Sequence, residues 1–336
     1  IVAKAAAVLG LEETRQNYQA IADRQWQVVK EEYFTATGRC AVKTQTGLVL
    51  ALKYHLSDNE RLTEQMLRKL LRDNKNKLNT GFVGTPLLCN VLTEHGMTDL
   101  AYRLLLNEEY PGWLHEVKLG ATTVWERWNS LDENGRISST GMNSLNHYSY
   151  GAVLEWIFRH VAGIDVTEQG PGGKMMRISP KVDHKLGSAS AVYDSASGCY
   201  RCGWQIENGD QITVTITVPF GAKAQVILPY APDSVYHDTD NPLFETVENG
   251  ICCVKAGQYT VTYKAASPLK KSYSVDSTLE DLLAEPAIRA FLSNMMEVDM
   301  IPDLAYGLTL RQAAEAFAGG VSAEQAQRLN VLLEEF

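Results

Sequence analysis

The sequence predicts a multidomain protein of mixed α and β structure: part of a two-layer toroid of helical hairpins, then an antiparallel β-sandwich, then a small helical bundle. Three observations predict it. Over 1–168 the apolar residues recur at helical spacing, in segments that alternate between apolar on all sides and charged on one face. Over 174–268 the period falls to two, with turn signals between short runs. From Ser277 to residue 336 helical spacing returns. The expected domains are therefore 1–168, 174–268 and 277–336.

The first helix ends at Leu9-Gly10, where glycine serves as a stop. A long second helix is expected over 11–34, with Tyr18, Ile21, Ala22, Trp26, Val29 and Tyr33 on one face. Thr44 to Leu56 is too uniformly apolar to face water. A charged helix follows over 58–73, capped by Ser57 or Asp58. Thr85-Pro86 opens the next, with proline at an early helical position, and His95-Gly96 ends it. Further helices are expected over 97–107 and 147–161. Helices apolar all round (44–56, 85–95, 147–161) must be enclosed, and charged partners between them make inner and outer layers. The count falls short of six complete hairpins.

Thr167 through Gly173 is a turn-rich linker. Beyond it, 211–219 alternates threonine with isoleucine or valine, the mark of a half-buried strand, and 200–204, 224–228 and 259–263 are similar. In the last segment Leu279, Leu282 and Leu283 begin an amphipathic stretch, and Ser322 with Gln325 fits a capping box.

The chain has 336 residues, 45% hydrophobic and 21% charged, which excludes disordered and fibrous classes. A net charge of −9 argues against nucleic acid as a partner, and no apolar run reaches the roughly 18 residues of a membrane span. The opening Ile-Val-Ala-Lys has neither an initiator Met nor a secretory leader and reads as mid-helix, so a piece of a longer protein is expected, and the sparse cysteines suit a reducing cytoplasm. Six cysteines are too sparse for a disulfide scaffold. Cys199 and Cys202 have the spacing of a metal pair, but adjacent Cys252 and Cys253 make poor further ligands, so a plain strand is the expectation.

The densest chemical signal is Gly120 through Trp128, which sets Glu126 between Trp125 and Trp128 and beside Arg127. A carboxylate between indoles is partly desolvated, while a neighbouring guanidinium favours its charged form; a base that must stay ionised suits that balance. A structural Glu–Arg pair in a helical core fits the same residues. Asn146, His147 and Tyr148 are polar groups at the mouth of an apolar helix and need partners, from protein or ligand. Asp132 through Gly135 looks like the start of a calcium loop, but Ile137 stands where glycine is needed, so a turn is expected.

Gly81-Phe-Val-Gly-Thr-Pro86, Glu94-His-Gly96, Ala101-Tyr-Arg-Leu-Leu105, Glu109-Tyr-Pro111, Gly120 through Trp128 and Asn146-His-Tyr-Ser-Tyr-Gly-Ala-Val153 occur in one order and spacing. Together they resemble the bacterial α-L-rhamnosidases of glycoside hydrolase family 78, over about 1–265. The resemblance implies the later part of an (α/α)6 catalytic barrel, a partial toroid, followed by the family's C-terminal β-sandwich. It implies hydrolysis of terminal α-L-rhamnosyl units with inversion, which needs two carboxyl groups on opposite sides of the ring. By resemblance Glu126 matches the general base and His147 a histidine that contacts the rhamnose hydroxyls. Trp125 and Trp128 would be pocket walls or packing behind Glu126, with Arg127 beside them. No metal or organic cofactor is implied.

The family's general acid lies in an upstream stretch that nothing here matches, so the chain is expected to hold a base and no acid and to be inactive alone. Inner helices without neighbours would expose an apolar face, which suggests self-association there or through the C-terminal helices. A non-catalytic carbohydrate-binding or assembly module derived from such an enzyme is the alternative.

Overall fold

The computed structural model describes residues 1–132, 134–138, 141–238, 240–317 and 319–334, which fall into two compact units, Ile1–Trp156 and 157–336. The first unit is helical: α1 (Val2–Val8), α2 (Glu12–Tyr33), α3 (Gln45–Lys53), α4 (Glu60–Asp73), α5 (Thr85–Glu94), α6 (Thr98–Leu105), α7 (Trp113–Lys118) and α8 (Val153–Trp156). Consecutive helices pack as hairpins, α1 on α2, α3 on α4 and α5 on α6. The alternation read from sequence is seen in the burial. α5 buries seven of its ten residues, and α3 buries Leu48, Val49, Ala51 and Leu52. Charged α4 turns Thr63, Leu67 and Leu71 inward. The cap of α4 is Asn59, whose side chain accepts from the Leu62 N–H at 3.1 Å. Ser57 instead donates to Gly38 O at 2.8 Å, tying the entry to α4 onto the preceding loop.

Helix α2 departs from this pattern. None of its 22 residues is buried. Tyr18 (45%), Trp26 (37%) and Tyr33 (45%), on the expected apolar face, are exposed, and Ile21 is 38% exposed. The 97–107 and 85–95 expectations hold within two residues, but 147–161 is not one helix. A 3-10 turn (Tyr150–Ala152) leads into α8, and a π-helical turn follows at Ile157–Val161. Helix α7 lies outside the helices expected from the sequence.

The second unit carries nine strands: β1 (Ile164–Val166), β2 (Met175–Ile178), β3 (Ser188–Ser195), β4 (Gly198–Glu207), β5 (Gln211–Val218), β6 (Lys223–Val226), β7 (Val247–Glu248), β8 (Ile251–Val254) and β9 (Gly257–Lys264). One sheet, β3-β4-β5-β9, is antiparallel throughout. The other, β1-β2-β6-β8-β7, is mixed, because β2 and β6 run parallel. That corrects the wholly antiparallel expectation. A parallel pair needs a long crossover, and β3, β4 and β5, which belong to the other sheet, supply it. Ile212, Val214, Ile216 and Val218 alternate inward along β5, as its sequence required. Tyr200 of β4 reaches the other sheet by donating to Lys223 O at 3.0 Å, and Trp204 donates to Val161 O at 2.7 Å. Cys199 and Cys202 both lie on β4, and all six cysteines are free.

The C-terminal helices are α9 (Leu279–Ala284), α10 (Pro286–Ser293), α11 (Leu310–Phe317) and α12 (Ala323–Glu334). They share a core of Leu279, Leu282, Ile288, Leu292, Leu310 and Leu333. The Ser322–Gln325 capping box forms in both directions, at 2.9 and 3.2 Å. No helix among the described residues is long and apolar enough to cross a membrane.

Candidate active site

The site is built on the non-helical segment between α7 and α8. Gly120 (φ +85°) ends α7 in the left-handed conformation, its N–H bonding Val117 O while Ala121 N–H bonds Glu116 O. The chain then runs without regular structure to Glu126. Two backbone bonds lay it against the segment that enters α8: Glu126 N–H to Ser144 O at 2.9 Å and His147 N–H to Val124 O at 2.8 Å. Residues 21 apart in sequence, Glu126 and His147, are thus carried on paired stretches of backbone. Beyond Glu126 the turn is fixed by buried Ser130. Its hydroxyl donates to Asn143 Oδ1 at 2.6 Å and accepts from Arg127 N–H at 3.1 Å.

The aromatic groups pack behind this segment. Trp128 stacks on Tyr150 with ring centroids 4.0 Å apart and planes 3° apart, and meets Trp113 edge-on at 5.4 Å. Trp113 in turn donates to Tyr150 O at 2.9 Å. Phe82, from the loop before α5, stacks on His147 at 4.9 Å. The imidazole also stacks near Tyr148, with ring centroids 5.5 Å apart. Glu126, Arg127 and His147 are half-buried. Trp125 is only 2% exposed and Trp128 7%. Burial makes Trp125 a packing residue, while Trp128 both packs and lines a cavity of about 290 Å³.

Sequence reasoning passed over Glu116. It sits on α7, 3% exposed, and its Oε2 accepts from Trp125 N–H at 3.5 Å. Its Oε1 has no partner among the described residues. Burial pushes this carboxyl up to about 7, opposed only by the Trp125 N–H. Burial also raises the Tyr150 phenol, and the charges of Glu116 and Glu126 add to the rise. Two carboxyls thus lie within electrostatic reach of one tyrosine, one on a half-buried residue and one on a buried residue. The spacing Trp113–Glu116, one helical turn, carried the signal for α7, but Pro111 and Gly112 just ahead of it read as loop.

Among the described residues no group of three or more His, Cys, Asp or Glu could hold a metal ion. Asp132 forms a turn, its carboxylate accepting from Asn134 and Arg136 N–H, while Glu133 lies outside the described residues.

Comparison with known proteins defines the class. Residues 1–161 match the bacterial α-L-rhamnosidase six-hairpin glycosidase domain. Residues 163–241 match the bacterial α-L-rhamnosidase C-terminal domain. The chain belongs to the bacterial α-L-rhamnosidase family. An α-L-rhamnosidase of Formosa agariphila is 36% identical over 252 residues, 74% of this chain and 27% of that protein. One from Alteromonas sp. (strain LOR) is 36% identical over 262 residues, 76% of this chain and 28% of that one. Among solved structures, the Streptomyces avermitilis α-L-rhamnosidase complexed with L-rhamnose superposes with a TM-score of 0.71 at 32% identity, over 78% of this chain and 25% of that one. The Aspergillus terreus enzyme gives 0.68 at 28% identity, over 79% and 29%. The chain spans about a quarter of the length of the curated relatives it matches.

Proposed function

We propose that this chain is the later part of an inverting α-L-rhamnosidase, with Glu126 as the general base and the general acid supplied from outside these 336 residues. The observation that supports the reading is the pair of backbone bonds between 124–126 and 144–147, which brings the Glu126 and His147 backbones alongside each other. Glu126 would take a proton from water as that water attacks the anomeric carbon, and His147, steadied by Phe82, would bond the ring hydroxyls. Inversion places the acid roughly 6.5–9.5 Å across the ring, and leaving-group oxygen is protonated there. Glu116 is an unsuitable acid: it has the proton but, at 3% exposure, no path to a substrate. The domains 1–168, 174–268 and 277–336 serve this reading as partial barrel, sheet domain and helical extension.

The reading is tested by two measurements on the chain itself. Turnover of an aryl α-L-rhamnoside should be at or below about 10⁻² to 10⁻⁴ of a complete enzyme's, since loss of an acid costs about 10²–10⁴-fold before any loss of pocket shape. L-rhamnose should still bind weakly and saturably, and His147→Ala should weaken it about tenfold, the cost of one good hydrogen bond. Substantial turnover removes the claim of a missing acid. L-rhamnose affinity indifferent to His147 removes the assignment of the pocket.

A further inference from the structure

The cavity of about 290 Å³ is lined by Asn74, Lys77, Asn79, Thr80, Tyr110 and Trp128, and by neither Glu126 nor His147. Trp128 joins the two. It lines the cavity, and two Cα steps of 3.8 Å put the Glu126 backbone within about 8 Å of it. Tyr110, on the cavity wall, and Glu126 both act on the same Tyr150 phenol. The cavity therefore adjoins the site without belonging to it.

Its walls are built rather than incidental. Gln45, 1% exposed at the start of α3, donates to Lys77 O at 3.0 Å and accepts from Asn79 N–H at 2.8 Å, clamping the 77–79 stretch. Asn74 Nδ2 donates to the same carbonyl at 2.8 Å. Lys75 and Asn76 take left-handed backbone (φ +55° and +54°), conformations that cost energy in residues with a Cβ and are kept where surrounding structure enforces them. Against this fixed backbone the functional ends stay available. The Asn79 amide and the Tyr110 phenol make no hydrogen bond among the described residues, and both side chains reach solvent, Tyr110 being 48% exposed. Lys77 bonds the carboxylate of largely exposed Glu109 at 2.8 Å, a partner that a ligand oxygen could replace at little cost. An aromatic wall with an amide, a phenol and an ammonium around it suits a hydroxylated ring with an apolar C–H face.

We propose that this cavity is a second saccharide subsite, taking the sugar ring to which the rhamnosyl unit is joined. The inference rests on the placement of the rhamnosyl unit at Glu126 and His147, and the test separates the two. Calorimetric titration of the chain with L-rhamnose and with 6-O-α-L-rhamnosyl-D-glucose, in the wild type and in Asn79→Ala and Tyr110→Ala, is the experiment. The disaccharide should bind about tenfold more tightly than L-rhamnose. Each substitution should cut that ratio at least threefold while leaving L-rhamnose affinity unchanged. Equal affinity for the two sugars removes the subsite alone. A preference for the disaccharide that survives both substitutions puts the second ring elsewhere and also overturns the proposal. Failure of both sugars to bind removes the rhamnosyl placement together with the subsite.

Discussion

At the scale of single residues, the two carboxyls near Tyr150 are separated by burial. Glu126, proposed above as the base, is half-buried; Glu116 is buried and carries a proton near neutrality. That proton has a stability consequence whose sign is fixed. The folded-state value of about 7 lies above the ordinary carboxyl value of 4.5, so the fold holds the proton longer than the unfolded chain does. Its contribution is complete below about pH 4.5, falls as pH rises toward 7 and is spent above that, for a total of about 3 kcal/mol. Glu116→Gln should flatten the fall in Tm between pH 5 and 8, measured by calorimetry; an unchanged slope would remove Glu116 as its source. The cluster around Glu126 stands out in the sequence because an acid between two tryptophans is a rare local pattern. Glu116 does not, because its burial comes from α7 folding back under Trp125, a contact between residues nine apart that no periodicity announces.

At the scale of elements, enclosed helices carry paired polar groups. Trp156, fully buried on α8, donates its indole N–H to Thr93 Oγ1 of α5 at 2.8 Å. Thr93→Val keeps the shape and removes the acceptor, so it should cost about 1–3 kcal/mol in urea unfolding, the penalty of an unsatisfied buried donor. A loss below about 0.3 kcal/mol would mean the indole finds another partner. The same helices show where hydropathy reads well. Runs such as Leu48–Leu52 and Leu88–Leu92 announce enclosure, and the threonine alternation of β5 announces a sheet with one wet face. Hydropathy reads poorly at 147–161, where the residues are apolar enough for one helix but the backbone passes through 3-10, α and π geometry in turn. It is equally blind to strand direction, since β2 and β6 look alike whether parallel or antiparallel.

At the scale of the whole molecule, α2 stands apart from the other long helices by its exposure. A 22-residue helix with tyrosine, isoleucine and tryptophan at helical spacing and no buried residue presents an exposed apolar face. We propose that this face drives self-association of the chain. Sedimentation velocity should show mass rising with concentration, and Trp26→Lys with Ile21→Lys should return the chain to a monomer without loss of helix by circular dichroism. A wild-type monomer at every concentration would exclude association through α2. The C-terminal helices close their own core around Leu282 and Ile288, which leaves them less in need of such a partner.

The most direct test joins the chain to the preceding six-hairpin portion of one of its relatives and follows an aryl α-L-rhamnoside by rate and by the anomer released. The expected result is turnover with inversion in the joined protein, loss of about 10²–10⁴-fold on Glu126→Gln, and turnover by the chain alone at or below about 10⁻² to 10⁻⁴ of the joined protein's. Wild-type rates in the joined Glu126→Gln protein would contradict the role given to Glu126, and turnover by the unjoined chain at the joined protein's rate would contradict the missing acid.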